Sequence, residues 1–553
     1  MGTQFPLAPV EDLPWLVYAS LLVIAVYFRF SRALTIRNLD LMLILLIAAA
    51  VVVYSHFRDE PFYVAADEPV PVAVSEVNAT SFAIPSQNLT GEATPSDAVV
   101  ESPTTVIKDL PVAVETNANK ANPAMPLESP PAEIRSAGVL VAEASPQSAV
   151  RPLVIVDHPL STWSSLALVA LAVLLVVRLL LDESLTRRPR LDQNLNQAGL
   201  TFLCIPAFVI LGFGVFLKPA PVTNVNAIEH GRALLQRREV EVHQTDAPTP
   251  TETLIAAGGA AMAQLSGNLP NSVSIDTGET RDTELLVARI LVVFAHLVVI
   301  LGLLYIGRQH FASLHLGVAM SCLYLLLPCT AANVHKLSHV LPAACLIWAI
   351  ASYRKPTFAG VLLGLACGTL FFAVFLLPLW AVFYGRKGAI RFGMSVFGVV
   401  VVLTTCLMMI SGDADSFFNR VVTSTNWTVY RLLDDTLTVS EASVGQLFIR
   451  IPMAAIFFVI LTAMTVLPRP RNLENLLANS TALVVAAQMW YPDDIGTYVQ
   501  WYMPLFLLVV FRPRLDRFMP PDIIERQATA VVSAVPANSA STVAMLRLSL
   551  LRR

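Results

Sequence analysis

The sequence predicts an all-α fold, a polytopic bundle of transmembrane helices. Three observations carry that expectation. Hydrophobic residues make up 55% of the 553 and charged residues only 14%, whereas a soluble domain holds about 25% charge. Mean hydropathy is +0.63, so a large apolar surface must face lipid. The apolar residues are gathered into runs near the roughly 20 residues that cross a bilayer as helix, and the polar links between them sort by charge.

The runs are 15–30, 39–54, 163–181, 199–217, 285–306, 311–328, 337–353, 358–383, 392–410, 451–467, 476–490 and 498–511. Basic links hold Arg29/Arg32/Arg37, Arg187/Arg188/Arg190, Arg308, Arg354/Lys355, Arg386/Lys387/Arg391, Arg469/Arg471 and Arg512/Arg514/Arg517. The other links hold Asp59/Glu60, Asp413/Asp415, Asp434/Asp435 and Asp493/Asp494. Lys and Arg concentrate in cytoplasmic links, so this alternation puts the N-terminus outside and the C-terminus in the cytoplasm. It closes only if 358–383 enters and leaves on one side. That segment is too short for two spans and long for one, and Gly368-Thr369 offers a break. A re-entrant helical hairpin follows.

Residues 1–55 read as anchor helices, 56–161 as a linker, 162–217 as two spans, 218–511 as the main membrane domain and 512–553 as a cytoplasmic basic tail. Between Asp59 and Asp157 there are fourteen acidic and four basic residues, with Phe62, Tyr63 and Phe82 as the only aromatics. Such a stretch cannot bury enough apolar surface to offset chain entropy, which predicts a disordered acidic extracytoplasmic linker. Segments 226–241 and 254–265 have helical spacing and are expected to lie along the membrane face. The final MLRLSLLRR is a short basic amphipathic stretch suited to anionic lipid.

Net charge is -3, which gives no basic field for nucleic acid. The six cysteines lie in or beside apolar runs, so neither a disulfide framework nor a CxxC metal site is expected. No Walker loop, GxGxxG, GxSxG or HExxH occurs in a fitting context. No metal and no cofactor are predicted, and any active site must be built from membrane helices and outside loops.

Several pieces fall in a telling order. They are Asn333/His335/His339, then Arg354 with Pro356, then Ala359-Gly360/Gly364/Ala366, then Pro378, then Arg386/Lys387/Arg391. This order resembles polyprenyl-phosphate-dependent glycosyltransferases of the GT-C superfold, most of all the bacterial mannosyltransferase group called glycosyltransferase family 87. The likeness is good over 333–391 and extends in outline over 218–511, while residues 1–198 have no counterpart. It implies a GT-C-like bundle in a bacterial cytoplasmic membrane, with a polyprenyl-phosphate sugar donor, an outside acceptor and surrounding lipid as partners. The oligomeric state is left open.

The resemblance also implies the chemistry. A carboxylate in an outside loop takes the proton of the acceptor hydroxyl, and cationic or hydrogen-bonding groups hold the departing phosphate. By position the carboxylate is Glu229, with His230 and Arg232 beside it. Asn333, His335, Lys336 and His339 form a second group, in which His335 and His339 share a helix face. Later loops add Arg420, Arg431, Asp434/Asp435, Asp493 and Asp494. The chain departs from the family in two places: 218–226 lacks the usual Asp, and the re-entrant region lacks a Lys. Two other readings compete. A transporter would place ionisable groups within spans and show repeated halves, and neither is evident here. A catalytically inactive scaffold would keep the bundle and use the acidic linker as a spacer.

Overall fold

The computed structural model describes residues 12–32, 35–58, 62–65, 153–156, 159–184, 193–240, 247–266, 278–424, 441–467, 471–490, 496–513, 515 and 518–521. The chain divides into two compact units, one made of Met1–Phe62 with Val156–Arg553 and the other of Tyr63–Ile155. The second unit is described only at its ends, where β1 (Phe62–Ala65) pairs with β2 (Leu153–Val156). Apart from this four-residue pair, the described residues are helical or connecting, in keeping with the all-α expectation. FYVA and LVIV are short, rich in β-branched and aromatic residues, and so suited to strands. The rest of the expected linker lies outside the described residues.

The first unit is helical. Its elements are α1 (Asp12–Tyr27), α2 (Ile36–Arg58), α3 (Pro159–Leu180), α4 (Gln197–Leu217), α5 (Val222–Gln236) and α6 (Pro250–Leu265). Then come α7 (Gly278–Gln309), α8 (Leu314–Leu326), α9 (Pro328–Ala332), α10 (Leu337–Ala351) and α11 (Pro356–Cys367). The chain ends with α12 (Leu376–Met409), α13 (Ala414–Ser424), α14 (Glu441–Val466), α15 (Leu473–Gln488) and α16 (Val499–Phe511). Five helices among the described residues are long and apolar enough to cross a membrane, and six more are shorter and apolar. The molecule is a helical membrane bundle. Its core is largely apolar and aromatic, with Tyr324, Tyr353, Phe372, Trp380, Trp501 and Phe506 fully buried.

The bundle has two distinguishable ends. At one, α5 and α6 lie over the start of α7, where Ala227, Ile228, Ala256 and Ala288 pack together; we call this the capped end. At the other, the end of α7, the α10–α11 turn and the segment after α16 meet. His310 donates through Nε2 to Ala351 O across 2.9 Å, its ring lies 5.4 Å from Tyr353, and Arg354 stands over Phe518. The basic residues Arg354 and Arg512 therefore share an end, as their charge pattern predicts.

Small residues set the packing of α11. A Cβ on Gly360 would meet Phe392 O at 2.6 Å, one on Gly364 Val399 Cβ at 3.0 Å, and one on Gly368 Leu403 Cδ1 at 2.3 Å. The matched advance along both helices means that α11 and the second part of α12 run side by side in the same direction. Between them the chain turns back. It breaks after Cys367, passes through a 3₁₀ segment (Phe371–Phe375), and enters α12. Phe383 then lies 6.3 Å from Tyr353, back at the end from which α11 departed. Gly385, at φ 69° and ψ 176°, supplies the reversal into the long part of α12, a conformation open to glycine and strained for other residues.

Close approach also fixes α5 on α6. A Cβ on Gly231 would stand 2.4 Å from Ala257 N and 2.7 Å from the Ala256 carbonyl carbon. Backbone atoms cannot yield as side chains do, so Gly231→Ala is expected to lower stability by about 1–3 kcal/mol. Gly258, on α6, has nothing within 4 Å of its Cβ position, and Gly258→Ala should hold or gain about 0.5–1 kcal/mol. Paired thermal unfolding of the two variants in detergent checks this; equal behaviour would show that the α5–α6 contact is loose.

Away from the capped end, buried charges tie distant helices. Arg178 on α3 holds Asp40 on α2 with two bonds of 2.8 and 2.9 Å and Asp182 at 3.0 Å. Arg512 then joins Asp182 to Glu474 on α15, the latter at 3.3 Å.

Candidate functional site

The capped end gathers most of the polar side chains that the bundle buries. Lys218, just past α4, donates through Nζ to Ala331 O and Ala332 O at 3.3 and 3.2 Å. On the first turn of α5, Asn224 donates to His335 O at 2.8 Å and accepts from Leu337 N at 3.4 Å. These bonds seat α5 on the α9–α10 turn. From below, His296 on α7 meets Tyr324 OH at 2.9 Å and Val334 O at 3.1 Å. Both ring nitrogens are occupied, which makes His296 a support for the turn.

That turn carries the second candidate group. Asn333 and His339 are buried, while His335 and Lys336 are half-buried. The His339 ring stacks on Tyr498, with centroids 4.8 Å apart and planes 21° from parallel. Phe372 presents its edge to Tyr498 and Trp501 at 5.6 and 5.8 Å. Gln500 donates to Thr330 O, and Gln488 donates to Tyr498 O, each at 3.2 Å. Among the described residues, His339 Nδ1, Gln500 Oε1 and Trp501 Nε1 are buried without hydrogen-bond partners. Unmet polar atoms are costly in an interior.

The other wall of the break is the first turn of α6. Thr251 N donates to Gly368 O at 3.1 Å, and its hydroxyl donates to Leu365 O at 2.7 Å. The next residue, Glu252, is 3% exposed. It closes a capping box with Thr249: Glu252 N donates to Thr249 Oγ1 at 3.4 Å, and Thr249 N donates to Glu252 Oε2 at 3.0 Å. Glu252 Oε1 is buried without a partner among the described residues. Burial pushes this carboxyl above the usual range, and the two Thr249 bonds only partly offset it. A carboxylate raised in this way is a stronger proton acceptor at neutral pH than an exposed one.

The first candidate group lies elsewhere on α5. Glu229 is exposed. Arg232 pairs with Glu284 of α7 at 3.1 Å. His230 is buried, and burial together with the nearby Arg420 charge lowers it to about 4, which keeps it neutral. The sequence candidates thus fall in two places at one end, with His339 near the break and His230 facing α13. Arg431, Asp434, Asp435, Asp493 and Asp494 lie outside the described residues. Glu252 was not among the residues singled out from the sequence, although Thr249-x-x-Glu252 before an Ala-rich run is a recognisable capping box. Gln500 and Tyr498 carry no local signal, because their role comes from what α10 and the break bring to them. No family model matches the chain, and neither do curated proteins or solved structures.

Proposed function

We propose that the chain is a membrane glycosyltransferase that moves a sugar from a polyprenyl phosphate to an acceptor at the capped end. In this reading the capped end faces outside, the termini follow the charge pattern, and 358–383 is a re-entrant hairpin of a GT-C-like bundle in a bacterial cytoplasmic membrane. The observation that carries it is Glu252, a buried carboxylate in the first turn of α6, whose neighbour Thr251 is seated on the broken tip at Gly368. Glu252 takes the acceptor proton in place of the exposed Glu229. The His339–Tyr498 stack and Trp501 form the apolar wall against which a sugar ring would lie, and Thr330 and Gln500 supply hydrogen bonds to its hydroxyls.

The deciding experiment uses the full chain in proteoliposomes with radiolabelled polyprenyl-phosphate mannose and glucose. Release of label from lipid onto water or an added acceptor is expected. Absence of turnover with every donor and acceptor tried would sink the enzyme and leave the non-catalytic scaffold, which the exposure of Glu229 and the Arg232–Glu284 pair favour. Sidedness has its own check, made after the half-buried Cys204, Cys367 and Cys406 are replaced by Ser. In intact cells an impermeant thiol reagent should label Glu229→Cys and reach Lys387→Cys only after permeabilisation. Equal labelling of both would overturn the orientation.

A further inference from the structure

We propose that Arg420 and His230 form a binding site for a phosphate-bearing anion between α5 and α13. Arg420, on the second turn of α13, is 3% exposed. Its guanidinium donates to Val240 O, and its Nε is buried without a partner. No carboxylate pairs with it among the described residues. Arg178, Arg232 and Arg512 each hold at least one carboxylate, which Arg420 does not. A buried guanidinium with no counter-charge is strongly disfavoured unless an anion completes it. Burial alone lowers Arg420, with no acid acting to raise it.

The surroundings select phosphate. His230 makes no hydrogen bond among the described residues and is neutral, so one ring nitrogen can donate to an anion while adding no charge of its own. Guanidinium forks match the spacing of phosphate oxygens and bind them in pairs. Position matters too. α13 follows the last turn of α12 directly, where Met408 is 68% exposed, and its own Phe418 and Val422 are 65% and 54% exposed. Apolar side chains at this spacing face lipid while Phe417 and Val421 pack inward on Leu407 and Ile410. The site therefore lies at the level of lipid headgroups. This assignment stands whether or not the chain transfers sugar.

The test measures thermal unfolding of the purified full chain as inorganic phosphate replaces chloride at constant ionic strength. A second arm uses phosphatidylcholine nanodiscs with and without phosphatidic acid. Wild type is expected to gain about 2 °C or more in at least one arm, and which arm responds separates a lipid headgroup from free phosphate. Arg420→Met should show no gain in either and, lacking the uncompensated charge, should be no less stable than wild type without phosphate. Should that variant not fold, Arg420→Lys keeps the charge and the stem and should weaken the response about tenfold in phosphate concentration. A wild type indifferent to both ligands, or a variant that responds as wild type does, overturns the proposal.

Discussion

Glu252→Gln is expected to cut sugar transfer by about 10²-fold or more while leaving the protein folded. The substitution is well isolated. A capping box accepts Gln in place of Glu, so the bond from Thr249 N survives and α6 keeps its seat on Gly368. What is lost is the basic oxygen. Stability provides the control, and its sign is fixed. The folded-state carboxyl is held above its unfolded value by burial, so folding favours the protonated form. That contribution is fully present below the unfolded pKa and is lost as pH rises through the folded one. Wild type should therefore lose ground to Glu252→Gln as pH climbs from the ordinary carboxylate range towards neutrality. Transfer by wild type should rise over the same window, since a base works only when deprotonated. A variant that transfers sugar at the wild-type rate would remove Glu252 from the mechanism, and an inactive Glu229→Gln beside it would restore the exposed residue to the role.

How much of this was legible in the sequence depends on whether the signal is local. A helix that meets lipid must be apolar over a continuous stretch, so the runs around α2, α7 and α12 can be read directly. Arg354 and Arg512 share an end because basic residues avoid crossing the bilayer. Gly368 was readable as a break, since a short apolar segment bounded by basic clusters must turn somewhere. The site was harder. Glu229 and Glu252 both sit on amphipathic surface helices, and composition cannot tell which is covered. Cover for Glu252 comes from the seat of Thr251 on Gly368, and these residues are far apart in the chain. Arg420 likewise looks like any loop arginine until the fold buries it with no acid beside it among the described residues.

Arg178→Gln is expected to destabilise the bundle by about 3–5 kcal/mol, because it leaves the buried Asp40 carboxylate without its cation and takes one of two cations from Asp182. Asp40 and Arg178 lie 138 positions apart, and no periodicity links them. The guanidinium donates to both carboxylate oxygens of Asp40 and reaches Asp182 one turn further along. Asp182 in turn meets Arg512, whose other carboxylate partner is Glu474. The chain of charges runs from α2 through α3 to α15 and the segment after α16. Removing its central cation leaves acids that water cannot reach, and the cost should appear as a lowered thermal midpoint in detergent. The double variant Asp40→Asn/Arg178→Gln separates pairing from packing. It discards one stranded charge and should recover a large part of the loss, whereas simple additivity would mean that the two residues do not act on each other. An unchanged midpoint in Arg178→Gln would show that the cluster is solvated. The expected loss would make α2 a structural part of the bundle, where the sequence reads 1–55 as anchor helices.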